Sequence, residues 1–219
     1  MNIIGQIKGL VFDMDGTLLD NIKYHKEAWL TFLKKHNVPI DAQTLMAQNH
    51  GTIEEMIVLF FGKDLSVEKI KELGEEKESL YRDICKPHVK EIDGLTDFLK
   101  QAKSKGLKIG LSTMGTIKNI DFVIDTLHIR EYFDAIVGGD DVTKGKPDPE
   151  IFIRTAEKLG LSPKDCIAFE DSTSGIKSAT SAGFKVVGIT TNHVKEDLLN
   201  AGCYNTINDY KDGMRIQLL

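Results

Sequence analysis

The feature that most constrains this chain is a regular alternation of short apolar runs with longer segments of helical periodicity. The runs are rich in residues that favour strands, and they cover residues 8–12, 108–112, 134–138, 166–170 and 185–189. From residue 93 onward, each run follows a segment whose apolar residues recur at spacings of three and four. Strands and helices that alternate in this way predict a parallel sheet with helices on both faces. The fold class expected from the sequence is therefore α/β.

Residues 20–87 interrupt this alternation after the first run. Their apolar side chains keep a helical spacing, which predicts a helix over 21–35 and helical structure throughout 41–86. Thr52 stands three residues before Glu55, which is the pattern of a capping box at a helix start. We therefore expect an inserted all-α domain at residues 20–87, called the helical insert below. The remaining residues, 1–19 and 88–219, are expected to form a discontinuous α/β core.

Composition and sequence patterns exclude several classes of protein. The chain has 28 Lys and Arg against 33 Asp and Glu, so its formal net charge is −5 and a nucleic-acid partner is not expected. No apolar run approaches the ~20 residues that a membrane-spanning helix needs, and the N-terminus lacks the pattern of a signal peptide. Cys85, Cys166 and Cys203 form no CxxC pair, which predicts reduced, buried thiols in a cytoplasmic protein.

Polar side chains follow the predicted strands at the points where ligands bind in sheets of this type. They are acids, hydroxyls and lysines, namely Asp13, Asp15, Ser112, Thr113, Lys144, Lys146, Glu170 and Asp171. Clustered carboxylates repel one another unless they share a hard cation that prefers oxygen ligands, and Mg²⁺ is the ion expected here. A lysine and a hydroxyl beside them are suited to phosphate oxygens. Ser112 competes with Thr113 as that hydroxyl, and Lys144 competes with Lys146 as that lysine.

These residues form a known pattern. The chain resembles the haloacid dehalogenase superfamily in four ordered motifs, which are Asp13-Met14-Asp15-Gly16-Thr17, Thr113 after an apolar run, Lys146 in GKPDP, and Glu170-Asp171 in FEDSTSGI. The helical insert resembles the type-1 cap of the β-phosphoglucomutase-like branch, and the stretch YHKEAW at residues 24–29 is similar to that branch as well. The resemblance covers essentially the whole chain. It implies a Rossmann-like core with an inserted helical cap.

The resemblance implies phosphoryl-transfer chemistry. Asp13 corresponds to the nucleophile that attacks phosphorus and forms an aspartyl-phosphate. Asp15 corresponds to the general acid and base, and its backbone carbonyl to a metal ligand. The Mg²⁺ ion is expected on Asp13 and Asp171, with Glu170 as a further ligand or as a residue that supports the ligands. Such an ion lets an anionic carboxylate approach an anionic phosphate.

The same resemblance assigns the phosphate-binding groups. Thr113, Lys146 and the backbone amide near Met114 correspond to the groups that bind the transferred phosphoryl oxygens. Lys146 also offsets the negative charge on Asp13.

Four residues of the helical insert are candidates for contact with the substrate. The resemblance places His25, Trp29 and Lys77 at the cleft between cap and core. From the residues alone, Lys77 belongs to a charge run typical of a solvated helix face, and Trp29 to an apolar face typical of a core. Glu54 stands where β-phosphoglucomutase has an arginine that grips the phosphate that is not transferred. A carboxylate there would repel a second phosphate or bind another cation.

The expected function is Mg²⁺-dependent hydrolysis of a small phosphorylated metabolite, a sugar phosphate, by a cytoplasmic monomer. The enzymatic alternatives are β-phosphoglucomutase or a related hexose-phosphate mutase, and an inorganic pyrophosphatase. A non-catalytic sugar-phosphate binder and a phospho-signalling receiver domain are the alternatives from other classes. Receivers lack an insertion after the first acids, and all four motif groups are intact here, which speaks against these two.

Overall fold

The chain folds around one parallel sheet, seen in a computed structural model that describes residues 7–48 and 51–215. The strands are β1 Gly9–Phe12, β2 Lys108–Ser112, β3 Ala135–Val137, β4 Cys166–Glu170, β5 Lys185–Ile189 and β6 Asn205–Ile207. They lie in the order β3-β2-β1-β4-β5-β6, and every pair is parallel. All five predicted runs are strands of this sheet, and the predicted α/β class is confirmed.

Ten α-helices accompany the sheet in the described part of the chain. Four lie between β1 and β2 within the helical insert, namely α1 Ile22–Lys35, α2 Ala42–Gln48, α3 Ile53–Phe61 and α4 Val67–Cys85. The other six are α5 Leu95–Ser104, α6 Ile117–Thr126, α7 Glu150–Leu159, α8 Thr173–Ser181, α9 Lys195–Ala201 and α10 Tyr210–Arg215. Not one of the described helices combines the length and the apolar character needed to cross a membrane.

Alternating strand residues supply two apolar layers, one on each face of the sheet. Leu10 and Phe12 point into the layer covered by α5, α6 and α10, where Phe12 stacks on Phe169 with ring centroids 4.7 Å apart. Val11 points into the opposite layer, which α7, α8 and α9 cover. Because both faces of β1 are buried, this strand has a defined position in the middle of the sheet. The residues that follow it, from Asp13 onward, therefore start from a defined point at the sheet edge.

The helical insert has an apolar cluster of its own, formed by α1–α4 around Trp29, Phe32 and Leu73. The predicted capping box is present at α3, where the Thr52 hydroxyl accepts from the Glu55 amide at 3.2 Å and the Glu55 carboxylate accepts from the Thr52 amide at 2.7 Å. The division into a core and an inserted domain remains a prediction.

The structure also contains elements that the sequence analysis did not predict. No element was predicted beyond residue 189, whereas α9, β6 and α10 follow there. Strand β6 is a three-residue edge strand, which is too short to show a period of two. Cys85, Cys166 and Cys203 are free and buried, as predicted.

Candidate active site

The candidate active site lies at the carboxyl ends of the central strands. Asp13 follows β1, and its amide donates to the Phe169 carbonyl at 3.0 Å. Thr113 follows β2, and its amide donates to the Val137 carbonyl at 3.1 Å. Hydrogen bonds to neighbouring strands thus hold both residues at the same sheet edge. A cleft of about 340 Å³ opens here, lined by the sheet edge on one side and by the helical insert on the other.

Lys146 joins two acids at the floor of the cleft. Its Nζ donates to Asp13 Oδ1 at 2.7 Å, to Glu170 Oε1 at 2.6 Å and to the Ser112 carbonyl at 3.2 Å. Burial lowers the pKa of this ammonium, but the charges of Asp13 and Glu170 outweigh it, and the pKa lies above its usual value. The competing Lys144 is exposed and lies 3.7 Å from Asp148, outside the cleft.

Three buried carboxylates form a cluster that fits a metal ion. Asp13, Glu170 and Asp171 each offer an oxygen, and these atoms lie within 4.8 Å of one another. Burial, with further repulsion from Glu170, raises the pKa of Asp13 to about 7 although Lys146 opposes the shift. Burial and the charges of Glu170 and Asp13 raise the pKa of Asp171 well above its usual value. One lysine therefore does not balance these acids, and an all-oxygen set of this kind fits a hard divalent cation.

Neighbouring side chains orient two of these carboxylates. Glu170 Oε2 accepts from the Ser172 amide at 3.1 Å and from the Ser172 hydroxyl at 3.0 Å. Asp171 Oδ2 accepts from Asn192 Nδ2 at 2.5 Å. Gly16 has φ +79, and a Cβ atom there would overlap the Asp171 carboxylate. The turn after Asp15 therefore needs glycine both for its backbone conformation and for the space that Asp171 fills.

The Asp15 side chain lies apart from that carboxylate cluster and faces the helical insert. Its Oδ1 accepts from Asn21 Nδ2 at 2.5 Å and lies 3.4 Å from His25 Nε2. Burial alone would raise the pKa of Asp15, but His25, Asn21 and the more distant Lys77 outweigh it and hold the pKa below its usual value. The Asp15 side chain thus lines the cleft without belonging to the cluster of Asp13, Glu170 and Asp171.

Lys77 enters the cleft from α4. Its Nζ donates to Glu78 Oε1 at 2.8 Å, lies 3.2 Å from His25 Nδ1 and sits over the Trp29 ring at 4.8 Å from the centroid. Only 2% of Lys77 is exposed. The interpretation of Lys77 as part of a solvated helix face is therefore wrong. Trp29 belongs to the apolar cluster of the insert and also lines the cleft, and its contact with a substrate stays a prediction.

Some of the remaining predicted residues line the cleft, and others do not. Thr113 and Met114 line the cleft, and Ser112 is not among the side chains that line it. Glu54 is also absent from the lining side chains and lies in the first turn of α3, while Thr52 and Ile53 beside it do line the cleft. The structure thus brings together all the predicted site residues except Glu54.

Four residues of the site were not found by sequence reasoning. They are Asn21, Glu78, Asn119 and Asn192. Asn21 donates to Asp15, and Asn192 donates to Asp171. Glu78 accepts hydrogen bonds from Lys77 and from Asn119. Asn21 is fully buried, and its Oδ1 also accepts from the Gly16 amide at 3.1 Å. Its position at the start of the first predicted helix was the one available signal. The three others carry no local pattern, because their partners are distant in sequence or belong to a charge run.

Comparisons with known proteins agree with this geometry. A family model described as haloacid dehalogenase-like hydrolase matches residues 10–189. Beta-phosphoglucomutase of Bacillus subtilis (strain 168) is 34% identical over 191 residues, which cover 84% of this chain and 83% of that protein. Fructose-1-phosphate phosphatase of Escherichia coli (strain K12) is 31% identical over 185 residues, which cover 83% of this chain and 95% of that protein.

A solved structure extends the similarity to the whole fold. The crystal structure of a haloacid dehalogenase hydrolase of family IA, variant 3, from Entamoeba histolytica superposes with a TM-score of 0.84 at 32% identity. The match covers 94% of this chain and 95% of that one, so it includes both the sheet and the helical insert.

Proposed function

Because the chain belongs to the haloacid dehalogenase-like hydrolase family, with a phosphatase and a phosphomutase among its relatives, we propose that it hydrolyses the phosphate monoester of a small sugar. The observation that carries this proposal is the Asp13 carboxylate on the cleft floor. Lys146 holds one of its oxygens at 2.7 Å, and Asp15, two residues further along the same loop, lines the same cleft with its side chain toward the insert. A nucleophile and a proton carrier thus face one space.

In the proposed reaction, Asp13 Oδ2, the oxygen not held by Lys146, attacks phosphorus. The bond from phosphorus to the sugar oxygen breaks, and that oxygen takes a proton from Asp15. A water molecule then gives a proton back to Asp15 and attacks phosphorus, which releases inorganic phosphate and frees Asp13. Because His25 and Asn21 hold the pKa of Asp15 below its usual value, the protonated form needs a further influence, and the negative charge of a bound phosphate would supply it by favouring protonation.

Mg²⁺ is the proposed metal, and Asp13 and Asp171 would hold it together with Glu170. When bound, such an ion neutralises the anions that must approach one another and polarises the phosphoryl oxygens. The non-bridging oxygens of the phosphoryl group are proposed to bind to Thr113, the Met114 amide and Lys146. Residues 20–87 are proposed to act as a cap that excludes water from the reacting group.

The charge of the insert side favours a phosphatase over a mutase. A mutase must hold a second phosphate away from the reacting one, which needs a free cation in the cap. Among the described residues that line the cleft, the insert contributes one lysine, Lys77, and its charge is paired with Glu78 at 2.8 Å. The mutase remains the second candidate, because a relative that bears that name matches 84% of the chain.

The test is an incubation of the purified protein with Mg²⁺ and a panel of phosphorylated compounds. The panel contains hexose, pentose and nucleoside monophosphates, pyrophosphate, and β-glucose 1-phosphate with a bisphosphate primer. We expect phosphate release from a sugar monophosphate, and we expect Asp13→Asn to reduce it by more than about 10³-fold. The matched control is Asp64→Asn, which removes one exposed carboxylate that is not among the residues lining the cleft and is expected to keep full activity.

Three outcomes would contradict the proposal. Glucose 6-phosphate formed without matching phosphate identifies a mutase. Phosphate release that survives in Asp13→Asn shows that Asp13 is not the nucleophile. Binding of sugar phosphates without turnover identifies the non-catalytic binder.

A further inference from the structure

The helical insert meets the core at a buried polar contact on one side of the cleft. Asn119 of α6 donates from Nδ2 to Glu78 Oε2 at 2.6 Å, and its Oδ1 accepts from Arg82 Nη1 at 2.8 Å. Glu78 and Arg82 are four residues apart on α4, so they lie on the same face of that helix. A single amide thus serves an acceptor and a donor of the insert at once. Asn119 is 1% exposed, its hydrogen bond to Glu78 is buried, and its hydrogen bond to Arg82 is partly buried.

A second contact closes another part of the cleft rim through two glycines. Gly145 precedes Lys146 in the core, and Gly51 precedes α3 in the insert. A Cβ atom on Gly145 would overlap the Gly51 Cα and lie 2.6 Å from the Gly51 carbonyl carbon and 2.8 Å from the Thr52 nitrogen. The two backbones therefore touch, and only a residue without a side chain at position 145 permits this approach.

These contacts connect to the residues that surround Asp15. Glu78, which accepts from Asn119, also accepts from Lys77 at 2.8 Å, and Lys77 lies 3.2 Å from His25. His25 Nε2 in turn lies 3.4 Å from Asp15 Oδ1. The position of α4 on the core therefore sets where Lys77 stands relative to His25 of α1 and to Asp15.

From this geometry we propose that Asn119 and Gly145 are positioning residues that dock the helical insert on the core in its closed arrangement. Asn119 anchors α4 by matched hydrogen bonds, and Gly145 lets the loop before α3 approach the Lys146 loop. Neither residue transfers a proton or binds phosphorus. Their effect on turnover acts through the fraction of molecules in which the cleft is closed. This effect on turnover rests on the proposed function, whereas the docking itself does not.

The test uses the fluorescence of Trp29, which is the one tryptophan of the chain and lines the cleft at 2% exposure. Asn119→Asp has nearly the same volume, but at pH 8 it loses the donor and sets a carboxylate against Glu78. We expect the acrylamide quenching constant of Trp29 to rise about twofold or more in this variant. The control is Lys118→Ala, which removes an exposed ion pair with Glu75, at 3.0 Å, between the same two helices. Its quenching is expected to match the unaltered protein.

Kinetics give a second measurement that a loss of folded protein would not reproduce. An open resting state raises KM, because binding must first close the cleft, while kcat is preserved at saturation. We expect Asn119→Asp to raise KM about tenfold and to change kcat less than about threefold. Unchanged quenching together with unchanged KM in a folded variant would overturn the role of Asn119.

Gly145→Ala tests docking without altering a buried residue, and it decides the question if Asn119→Asp does not fold. The added methyl group wedges the two loops apart, so we expect increased quenching and a larger radius of gyration by small-angle X-ray scattering. Lys144→Ala, an exposed neighbour, is the matched control. Equal quenching and equal radius in Gly145→Ala and Lys144→Ala would overturn the proposal. If no substrate is ever found, these two measurements still decide it, so its failure is distinct from that of the proposed function.

Discussion

Ser112 and Thr113 are adjacent hydroxyl residues at the end of β2, and the structure gives them different surroundings. Thr113 lines the cleft, whereas Ser112 Oγ is buried with no hydrogen-bond partner among the described residues. We expect Thr113→Val to lower kcat/KM about tenfold or more, because a donor to the phosphoryl group is lost. Ser112→Ala keeps the carbonyl that accepts from Lys146, and we expect it to change kcat/KM less than about twofold. The reverse order would assign phosphate binding to Ser112.

Glu78 makes a prediction about stability and pH. Burial opposes its charge, but Lys77, His25 and Asn119 outweigh burial and hold the pKa of Glu78 below its usual value of 4.5. An acid whose pKa is lower in the folded state stabilises the fold above its unfolded pKa and loses that contribution as the pH falls through the folded pKa. Glu78→Gln leaves Lys77 without its buried partner, and we expect it to cost about 2–3 kcal/mol at pH 7.

The measurement for Glu78 is urea unfolding of both proteins between pH 7 and pH 4. We expect the difference in unfolding free energy to be constant above pH 4.5 and to narrow below it, as the unaltered Glu78 is protonated too. A difference that stays constant to the lowest pH at which both proteins fold would show that the charge of Glu78 is not what stabilises this region.

The residues that sequence reasoning found and those it missed differ in how they reach the site. Asp13, Thr113 and Asp171 directly follow the ends of strands, and parallel strands bring their carboxyl ends to one edge whatever the details of packing. Asn21 and Asn119 act through partners in another part of the chain, such as Tyr81, whose hydroxyl accepts from Asn21 at 2.6 Å. An asparagine with such a partner looks, in sequence, like any surface asparagine.

At the scale of elements, the first residues of helix α3 stabilise the helix and are not expected to bind the substrate. Thr52 caps the helix, and Glu54 lies in the first turn, where a negative charge interacts favourably with the helix dipole. We expect Thr52→Ala to lower the unfolding free energy by about 1 kcal/mol. We expect Glu54→Gln to lower it by about 0.5 kcal/mol or less and to leave KM unchanged. Urea unfolding and steady-state kinetics measure both effects, and a clear change in KM for Glu54→Gln would return Glu54 to the substrate site.

The strands and longer helices were predictable because their apolar residues recur, at the spacing of a strand or of a helix, over enough residues to be recognised. Strands β2, β4 and β5 have the bounds that their apolar runs indicated. Helix α4 shows the limit of this reasoning. Its buried face includes Lys77 and Glu78, two charged residues that pair with one another, so hydrophobicity alone assigned that face to solvent.

At the scale of the whole molecule, the hydrophobic pattern alone does not predict which surfaces of the helical insert and of the core meet, and the expectation of a cap over the site came only from the family resemblance. Both parts have their own apolar clusters, and either cluster would form in an open or a closed arrangement. What distinguishes the arrangements is a small number of specific contacts, such as the backbone approach of Gly145 to Gly51. A pattern of hydrophobic residues indicates which faces of helices and strands are buried. It does not indicate which surface of the folded insert contacts which surface of the folded core.

The carboxylate cluster links the stability of the whole molecule to metal. Asp171 is 3% exposed and repelled by Glu170 and Asp13, so without metal its charge opposes folding. We expect Asp171→Asn to raise the unfolding free energy in EDTA at pH 8 by about 1–2 kcal/mol. Excess Mg²⁺ reverses the order, because only the unaltered protein gains binding free energy, about 2.7 kcal/mol at a hundredfold excess over Kd. Urea unfolding with EDTA or MgCl₂ measures both effects, with Asp64→Asn as the exposed control. If Asp171→Asn is the less stable protein in EDTA as well, Asp171 has a structural role that outweighs its repulsion by Glu170 and Asp13. The carboxylate cluster would then not destabilise the fold when no cation is bound.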